Sequence, residues 1–533
     1  MAPRRLVLML LAAFTACAAG LASAGDPALG ERIYQQGILP SGQPLQASLQ
    51  QGLPLSGAKA ACSACHRRSG FGVGEGYTPI RPITGRYLFR DANAPHPRLL
   101  PISSPSPALR PAYSEASLAR TLRTGIDTAG RSLAGMMPRY QMSEDDVGHL
   151  VAYLRTLSVA PDPGVSDADI HFATIVDASA DPGQRLAMLE ILQAYFRDKN
   201  AGTRLESERA RRAPWDQART YKAYRRWQLH VWTLKGKPET WPEQLAAYYR
   251  QQPVFAVLSG VGAGDWQPVH DFCDQTRLPC LFPNVDQTPQ EQSQYALYLS
   301  RGLAMEAEAL AAHLVRENID GPIVQVFRDD TAATAQAFRQ ALTAAGKADL
   351  SDRLVAAGAT PDAGYWQEIR NLKPAALVLW LKNPDLAALA SLAPTPGRLY
   401  LSSRLAGQPA LPDALAEQAA LVYPWELPAR LAPNLLRLHA WLRMKRIAPR
   451  NDPIQANTFY AVTLAGMAIP DLVDDYSRDY FIERIEHGVE YALAPSTFPH
   501  PSLGPGQRFA SKGSYVVRQT PDGLQPLGDW IVP

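Results

Sequence analysis

Residues 62–66 read Cys-Ser-Ala-Cys-His, and this pentapeptide constrains the fold more than any other segment of the chain. Two thiols three positions apart, followed at once by an imidazole, form the attachment pattern of a c-type haem. The spacing puts Cys62 and Cys65 about one helical turn apart, so both sulfur atoms can reach the vinyl groups along one porphyrin edge. His66 is then the proximal ligand of the iron, and the chain must fold a pocket around the haem.

Two other kinds of site use a similar pair of thiols. A thioredoxin-like dithiol does not require the adjacent histidine. A structural zinc site needs a second pair of ligands at similar spacing, which the sequence lacks. The pattern therefore favours one covalently attached haem c as the cofactor.

The first 24 residues have the organisation of a secretory signal. Arg4 and Arg5 precede an apolar run, and Ala22-Ser23-Ala24 forms a cleavage motif of small residues, so cleavage before Gly25 is expected. Lipid modification at Cys17 is an alternative. Because no later stretch is apolar enough to span a bilayer, we expect an exported protein without a membrane span, periplasmic in a Gram-negative cell.

Each of the five cysteines has an expected role. Cys17 would leave with the signal, and Cys62 and Cys65 would hold the haem. In an oxidising compartment, we expect the remaining Cys273 and Cys280 to form a short-loop disulfide. Two reduced thiols are the alternative, because spacing alone does not establish the geometry that a disulfide needs.

Length and charge set two further limits. At 533 residues the chain is too long for one hydrophobic core and should divide into two or three domains. Residues 25–160 hold 14 Lys/Arg and 9 Asp/Glu, and this positive excess could favour an acidic redox partner. No basic stretch is interleaved with aromatic residues, so a nucleic acid is not an expected partner.

A haem iron bound by one histidine needs a sixth ligand. Residues 133–140 read Leu-Ala-Gly-Met-Met-Pro-Arg-Tyr, and Ser143 then begins a helix with an acidic first turn. This arrangement resembles the C-terminal part of class I cytochromes c, where a Met-Pro loop precedes the last helix. The resemblance implies that Met137 is the axial ligand, with Met136 and Met142 as alternatives.

Two further segments carry the same resemblance. Gly30 and Tyr153 match the family pattern in which the first and last helices cross closely at a small residue. Pro82 begins a Pro-Ile-Thr-Gly segment like the one whose proline carbonyl accepts a hydrogen bond from the proximal histidine, here His66. The resemblance therefore implies an all-α cytochrome c domain over residues 25–160.

Axial ligands on both sides of the iron would decide the chemistry. With His66 and Met137 both bound, no position is open to peroxide or oxygen, and the soft thioether favours the ferrous state. This arrangement suits outer-sphere electron transfer, so we expect an electron carrier rather than an enzyme. A haem peroxidase would require Met137 to dissociate or not to bind.

The pattern changes after the linker-like sequence Pro-Asp-Pro-Gly at residues 161–164. Strand-like and helix-like segments then alternate, which predicts parallel α/β sheets, and the length of residues 161–533 suits two lobes. The strand-like runs are Ile170–Val176, Trp227–Leu234, Val254–Ser259, Cys280–Val285, Ile323–Phe327, Ala375–Leu381 and Leu399–Ser402.

This second region resembles the type I periplasmic binding proteins, in the branch that includes the leucine/isoleucine/valine receptors of ABC importers. The resemblance rests on element order, on Leu-Ser-Gly-Val-Gly at 258–262, on Phe-Arg-Asp-Asp at 327–330 and on the tail at 506–513. It implies a two-lobed α/β periplasmic binding protein fold for residues 161–533, in a multidomain chain. Ligands of such folds bind between the lobes, at the carboxyl ends of the strands.

The same resemblance implies four cleft residues, Ser259, Gly260, Asp286 and Asp329. Turn or helix-cap chemistry is the alternative role for each. Amino-acid receptors of this type hold the α-carboxylate with hydroxyl and backbone N–H groups, whereas residues 263–264 are Ala-Gly where a second hydroxyl is expected. A free amino acid is therefore not the expected ligand.

These features together predict an exported electron-transfer protein with a single haem c. The second domain would dock a redox partner, such as a periplasmic dehydrogenase or another cytochrome, or would sense a small molecule. An ABC-type solute-binding receptor with an accessory haem is one alternative, and a haem peroxidase is another.

Overall fold

The computed structural model describes residues 25–72, 74–75, 78–90, 110–157, 159–212, 225–289, 291, 293–347, 349–392, 394–395, 397–406, 411–472, 475–492 and 496–533. The expected signal segment, including Cys17, lies outside these residues. The chain divides between Val159 and Ala160 into two compact units. In the part of the chain that is described, no helix is both long and apolar enough to cross a bilayer.

The first unit is mainly helical. Its helices are α1 (Pro27–Gln36), α2 (Ser63–His66), α3 (Gly85–Leu88), α4 (Glu115–Thr124) and α5 (Glu144–Thr156), with a 3-10 turn at Gly57–Ala60. Its strands are β1 (Gln46–Ser48), β2 (Pro54–Ser56), β3 (Gly74–Glu75), β4 (Thr78–Pro79) and β5 (Arg139–Gln141). Strands β2, β1 and β5 form an antiparallel sheet in that order, and β3 pairs with β4. These short strands are additions to the expected all-α domain.

Helices α1 and α5 cross where the family pattern places the crossing. A Cβ atom on Gly30 would lie 2.0 Å from the carbonyl oxygen of His149, so only glycine fits there. The rings of Tyr34 and Tyr153 lie beside the crossing, with centroids 5.3 Å apart. Ser143 caps α5, because its hydroxyl accepts from the N–H of Asp146 while the Asp146 carboxylate accepts from the N–H of Ser143.

The second unit contains long helices and two sheets. Its helices are α6 (Pro182–Arg212), α7 (Trp241–Gln251), α8 (Gln267–Gln275), α9 (Leu303–Arg316), α10 (Ala332–Ala344), α11 (Ala363–Asn371), α12 (Ala387–Ala390), α13 (Ser403–Ala406), α14 (Asp413–Ala416), α15 (Pro428–Lys445), α16 (Asp452–Leu472) and α17 (Arg478–Val489). Its 3-10 turns are Pro238–Thr240, Asp329–Thr331 and Asn383–Leu386.

The strands of the second unit are β6 (Asp169–Asp177), β7 (Arg226–Leu234), β8 (Ala256–Val261), β9 (Cys280–Leu281), β10 (Ala296–Leu297), β11 (Ile323–Phe327), β12 (Leu350–Leu354), β13 (Ala376–Trp380), β14 (Arg398–Ser402), β15 (Ala419–Tyr423), β16 (Tyr515–Thr520) and β17 (Gly523–Pro526). The first lobe is built on a parallel sheet in the order β10-β9-β8-β6-β7. The second lobe is built on the order β12-β11-β13-β14-β15-β16-β17, parallel up to β15 and antiparallel after it. The α/β prediction is confirmed.

Both lobes belong to the second unit, and three segments of the chain connect them. Residues 298–302, 424–427 and 496–514 connect the first lobe with the second. Helix α16 packs against α6 and β8 on the first lobe, although it follows strands β11–β15 of the second lobe in sequence. Cys273 in α8 and Cys280 in β9 form a disulfide within the first lobe, with Cα atoms 6.2 Å apart.

Arg478 fastens the start of the second unit to the first lobe. Its side chain is buried, and its backbone N–H donates to the carboxylate of Asp162 at 2.7 Å. The guanidinium donates to the hydroxyl of Tyr249 and to the carbonyl oxygens of Pro163, Val254, Phe255, Thr276 and Arg277. The guanidinium of Arg478 therefore donates hydrogen bonds to backbone carbonyls in the linker, in the segment before β8 and in the segment after α8.

We expect Arg478→Ala to lower the free energy of unfolding of the second unit by about 3 to 5 kcal/mol, because buried carbonyl oxygens lose their donor. Arg484→Ala on the same helix is the matched control. Arg484 pairs with Asp471 near the surface, so its removal should cost less than about 1 kcal/mol. Denaturant unfolding measures both changes, and equal losses in the two variants would contradict this role of Arg478.

Candidate functional site

The first candidate site is the Cys-x-x-Cys-His segment, which folds as α2 and its N-cap. Cys62 is buried and Cys65 is half-buried. Burial raises the pKa of the Cys62 thiol to about 12. The spacing on a helical turn places the two sulfur atoms where a single group could be tethered to both.

The side chain of His66 is prepared for ligation of a metal. It is 9% exposed, and burial lowers its pKa to about 4, partly offset by a hydrogen bond to the carbonyl oxygen of Arg81. That bond joins Nδ1 to the carbonyl at 2.9 Å. An imidazole that is neutral and donates from Nδ1 keeps its lone pair on Nε2, which is the form that binds iron.

The partner of His66 corrects one sequence expectation. Pro82 was expected to supply the carbonyl, but the acceptor is the preceding residue, Arg81. Successive carbonyls of an extended segment point in opposite directions, so a shift of one residue changes which of them faces the imidazole. The next residue, Ile83, donates its N–H to the carbonyl of Gly70, which holds the segment beside α2.

The three methionines of the predicted loop lie in different surroundings. Met142 is buried in the hydrophobic core of the first unit, and Met136 is 40% exposed. Met137 is partly buried and packs against the edge of that core, and its backbone N–H donates to the carbonyl of Ala134. Of these three methionines, Met137 is the one that is neither fully buried in the core nor largely exposed to solvent.

The donor set of the first unit therefore fits a haem. Two thiols on one turn, a neutral buried imidazole and a partly buried thioether are the ligand types of a c-type haem. Cys62, Cys65, His66 and Met137 would hold the group, and the carbonyl of Arg81 would orient the histidine.

The second candidate site is the carboxyl end of the first-lobe strands, where Ser259 and Gly260 were predicted. Ser259 is buried, with a left-handed backbone at φ 58°, and its hydroxyl lies 3.2 Å from that of Thr458. The side chain of Asn284 donates to the Ser259 hydroxyl at 3.1 Å and to the carbonyl of Gly260 at 3.2 Å. Asn457 extends this buried network by donating to Asn284. Ser259 therefore serves the interior rather than an open cleft.

The backbone N–H of Ala263, close to Ser259 and Gly260 in sequence, is already hydrogen-bonded to a carboxylate of the protein. Asp177 at the end of β6 is buried, and one of its oxygens accepts from the N–H of Ala263 at 3.1 Å. Its other oxygen accepts from the N–H and hydroxyl of Ser179. The N–H of Gly262 donates to the carbonyl of Asn284 at 3.3 Å. These donors, which could receive a ligand carboxylate, are all used within the chain.

The second lobe contributes a buried cation that the sequence did not suggest. Arg404 follows β14, and its Nε lies 3.0 Å from the carboxylate of Glu306, which is fully buried. Its Nη2 donates to the hydroxyl of Ser300 at 3.0 Å. Its guanidinium lies 5.3 Å from the ring centre of Trp425 and 5.6 Å from that of Phe498. Arg404 thus contacts each of the segments that connect the lobes.

The remaining predicted cleft residues, Asp286 and Asp329, are exposed. Asp286 is largely exposed, and its carboxylate lies 3.6 Å from Arg404. Asp329 is exposed in the turn before α10. The sequence signal for Glu306 is its position as an acidic residue within the mostly apolar segment Leu303–Leu314. The sequence contains no signal that pairs it with Arg404.

A cavity of about 680 Å³ lies between α15, the end of α17 and the segment that follows. Its lining combines charged and aromatic side chains, among them Glu426, Arg437, Tyr460, Glu490, Phe498 and His500. Phe498 also contacts Arg404, so the cavity adjoins the connecting segments of the two lobes.

Comparison with known proteins finds one family model that matches part of each unit. The family model described as cytochrome c matches residues 56–158, and the one described as periplasmic binding protein matches residues 234–426. No curated protein matches the sequence closely enough to count as a relative.

Solved structures agree on the fold of the larger part of the chain. A fatty acid ABC transporter substrate-binding protein from Thermomonospora curvata is 15% identical, covers 70% of this chain and 95% of its own, and has a TM-score of 0.50. A branched chain amino acid ABC transporter from Thermus thermophilus with bound valine is 13% identical, with coverages of 69% and 98% and a TM-score of 0.51. At these identities the similarity shows the fold alone.

The buried Glu306 predicts a pH dependence of stability. Burial raises its pKa from 4.5 to about 8, although Arg404 and Ser402 lower it in part. Because the folded chain then holds the proton of Glu306 more tightly than the unfolded chain, the contribution of Glu306 to the free energy of unfolding is greatest below about pH 4.5 and declines as pH rises towards about 8. The decline should approach about 1.4 kcal/mol per pH unit.

Glu306→Gln should remove this component, so that the unfolding free energy of the variant depends less on pH over that range. Glu308→Gln is the matched control on the same helix, since Glu308 is partly exposed and paired with Arg301. Urea unfolding at several pH values measures the slopes. A variant slope equal to that of the wild type would contradict the assignment.

Proposed function

We propose that this chain is an exported electron carrier, because a cytochrome c family model matches residues 56–158 and a periplasmic binding protein family model matches residues 234–426. It would hold one haem, covalently, and exchange electrons with a redox protein. The second unit would dock that partner. The observation that carries the proposal is the placement of the two predicted iron ligands, with His66 fixed by Arg81 and Met137 half-buried at the core edge.

The residues of the first unit have separate tasks in this function. When bound, the haem supplies a one-electron oxidation and reduction at iron. Cys62 and Cys65 tether it, and the Arg81 carbonyl keeps His66 oriented and holds the proton at Nδ1. Met137 would fill the remaining axial position and exclude small oxidants. This last task separates an electron carrier from a peroxidase, which needs an open position.

The internal bonds of the first lobe support docking over solute capture. A receptor for a free amino acid needs donors for the ligand carboxylate, whereas here Asp177 already occupies the N–H of Ala263. A ligand carboxylate brought to this point would also meet the like charge of Asp177. The second unit therefore keeps the fold of a solute receptor without an open anion site at these strand ends.

Sensing of a small molecule is a second candidate for the second unit. The cavity of about 680 Å³ favours it, because a volume of that size suits a small ligand. Its lining is polar and charged rather than apolar, so a polar ligand is the expected occupant. A shift of haem potential on titration with such a ligand would distinguish sensing from docking.

Met137→Ala tests the function directly. We expect the low-spin ferric spectrum to become high-spin and the midpoint potential to fall by on the order of 0.1 V, since axial ligands control a range of about 0.8 V. Met136→Ala and Met142→Ala are the controls and should keep the wild-type spectrum. Absorption spectroscopy with redox titration measures these changes. If Met136→Ala changed the spectrum and Met137→Ala did not, the axial assignment would be wrong.

Free L-valine should not bind to the second unit. Isothermal titration of the full chain with valine to millimolar concentration is expected to give no saturable heat, because the first-lobe donors are already bonded to Asp177 and Asn284. Micromolar affinity for valine would favour the receptor alternative and contradict the docking proposal.

A further inference from the structure

Helix α15 presents an unusual face to solvent. Leu436 is 65% exposed and Met444 is 67% exposed, which places them among the most exposed large apolar side chains of the described residues. Apart from Asn434, the exposed residues after Pro428 are apolar or arginine: Ala429, Ala432, Pro433, Leu436, Ala440 and Met444, with Arg430, Arg437 and Arg443. A solvent-facing helix surface in a soluble protein more often carries mixed charges.

This face is fixed in place by the opposite side of the helix. Leu435, Leu438 and Leu442 are buried against Ile191 of α6 and Phe459 of α16. The helix therefore cannot rotate to cover Leu436 and Met444. We call Arg430, Leu436, Arg443, Met444 and Arg446 the arginine ridge.

The charge around the ridge is strongly one-sided. Residues 428–450 contain six Lys/Arg and no Asp or Glu. Lys445 and Arg450 are paired with Asp198 and Glu190 of α6, at 2.6 and 3.2 Å. Arg430, Arg443 and Arg446 are exposed on the ridge itself. The ridge thus joins a positive surface to two protruding apolar side chains.

We propose that the arginine ridge docks the protein onto an anionic phospholipid surface. Arginine pairs with phosphate in a bidentate manner, and its amphipathic stem can lie along apolar surface while the charge stays at the headgroups. Leu436 and Met444 would enter the boundary between headgroups and acyl chains. The helix has 18 residues and is about 27 Å long, and this length suits a flat, deformable surface.

Charge also decides against a second copy of the chain as the occupant. The exposed face of α15 has no carboxylate, so two copies of the ridge would repel each other. An acidic protein would satisfy the charge as well, but the ridge combines its arginines with two protruding apolar side chains, Leu436 and Met444, which suit the apolar layer below the headgroups of a membrane. An anionic membrane requires only cations and shallow apolar contact.

Flotation with lipid vesicles tests this docking on the full, haem-loaded chain. The protein should float with vesicles of phosphatidylglycerol and phosphatidylcholine at low salt, but not with phosphatidylcholine alone. Because each arginine near such a surface contributes about fivefold in partition, Arg430→Gln/Arg443→Gln/Arg446→Gln should weaken binding about a hundredfold. Leu436→Ala/Met444→Ala should weaken it while leaving the charge unchanged.

A triple variant elsewhere on the second unit is the matched control. Arg250→Gln/Arg316→Gln/Arg353→Gln changes the net charge equally at exposed positions outside the ridge, and it should keep binding within about twofold of the wild type. Circular dichroism checks that each variant is folded. Absence of binding to the anionic vesicles, as expected if the ridge serves an acidic protein instead, would overturn the proposal. An equal loss in both triple variants would also overturn it.

Discussion

The hydrogen bond between Nδ1 of His66 and the carbonyl of Arg81 is the interaction on which the redox account depends. It fixes the tautomer of a buried imidazole whose pKa burial has lowered to about 4, and so it leaves Nε2 as the ligating atom. The rest of the first unit serves this geometry. Gly30 lets α1 and α5 cross closely enough to enclose the site, and Tyr34 on α1 donates its hydroxyl proton to the carbonyl of Arg67, next to His66.

In the second unit, polar groups at the strand ends of the first lobe are bonded within the chain, while the fold of a periplasmic binding protein is kept. Parallel sheets direct their strand ends towards the space between lobes, where hydroxyl and N–H groups are normally offered to a solute. In this chain Asp177 and Asn284 occupy those groups, and Arg404 holds the connecting segments through Ser300, Trp425 and Phe498. Because these polar groups are already hydrogen-bonded within the chain, the second unit is suited to the docking role that we propose for it.

The sequence was informative where one local pattern dictates the structure. The strand Ile323–Phe327 was predicted with its observed bounds, because a short apolar run between polar turns is typical of a buried parallel strand. The haem motif was equally local. The prediction that Pro82 supplies the carbonyl to His66 was wrong by one residue. Successive carbonyls of an extended segment alternate in direction, so the acceptor depends on the exact register of that segment. Strands β1 and β2 were missed because three residues carry too little periodicity to predict a strand.

The polar groups of the second unit could not be predicted for a different reason. Glu306 and Arg404 are far apart in sequence, and Ser259 meets Thr458 across a still longer separation, so their pairing depends on the tertiary fold. The central claim, that this chain is a covalent haem protein, can be tested directly. Purified protein co-expressed with a haem-attachment system should retain one haem per chain after denaturation and acid–solvent extraction, with a c-type spectrum on reduction. Colourless protein, or haem that leaves with the solvent, would contradict the account.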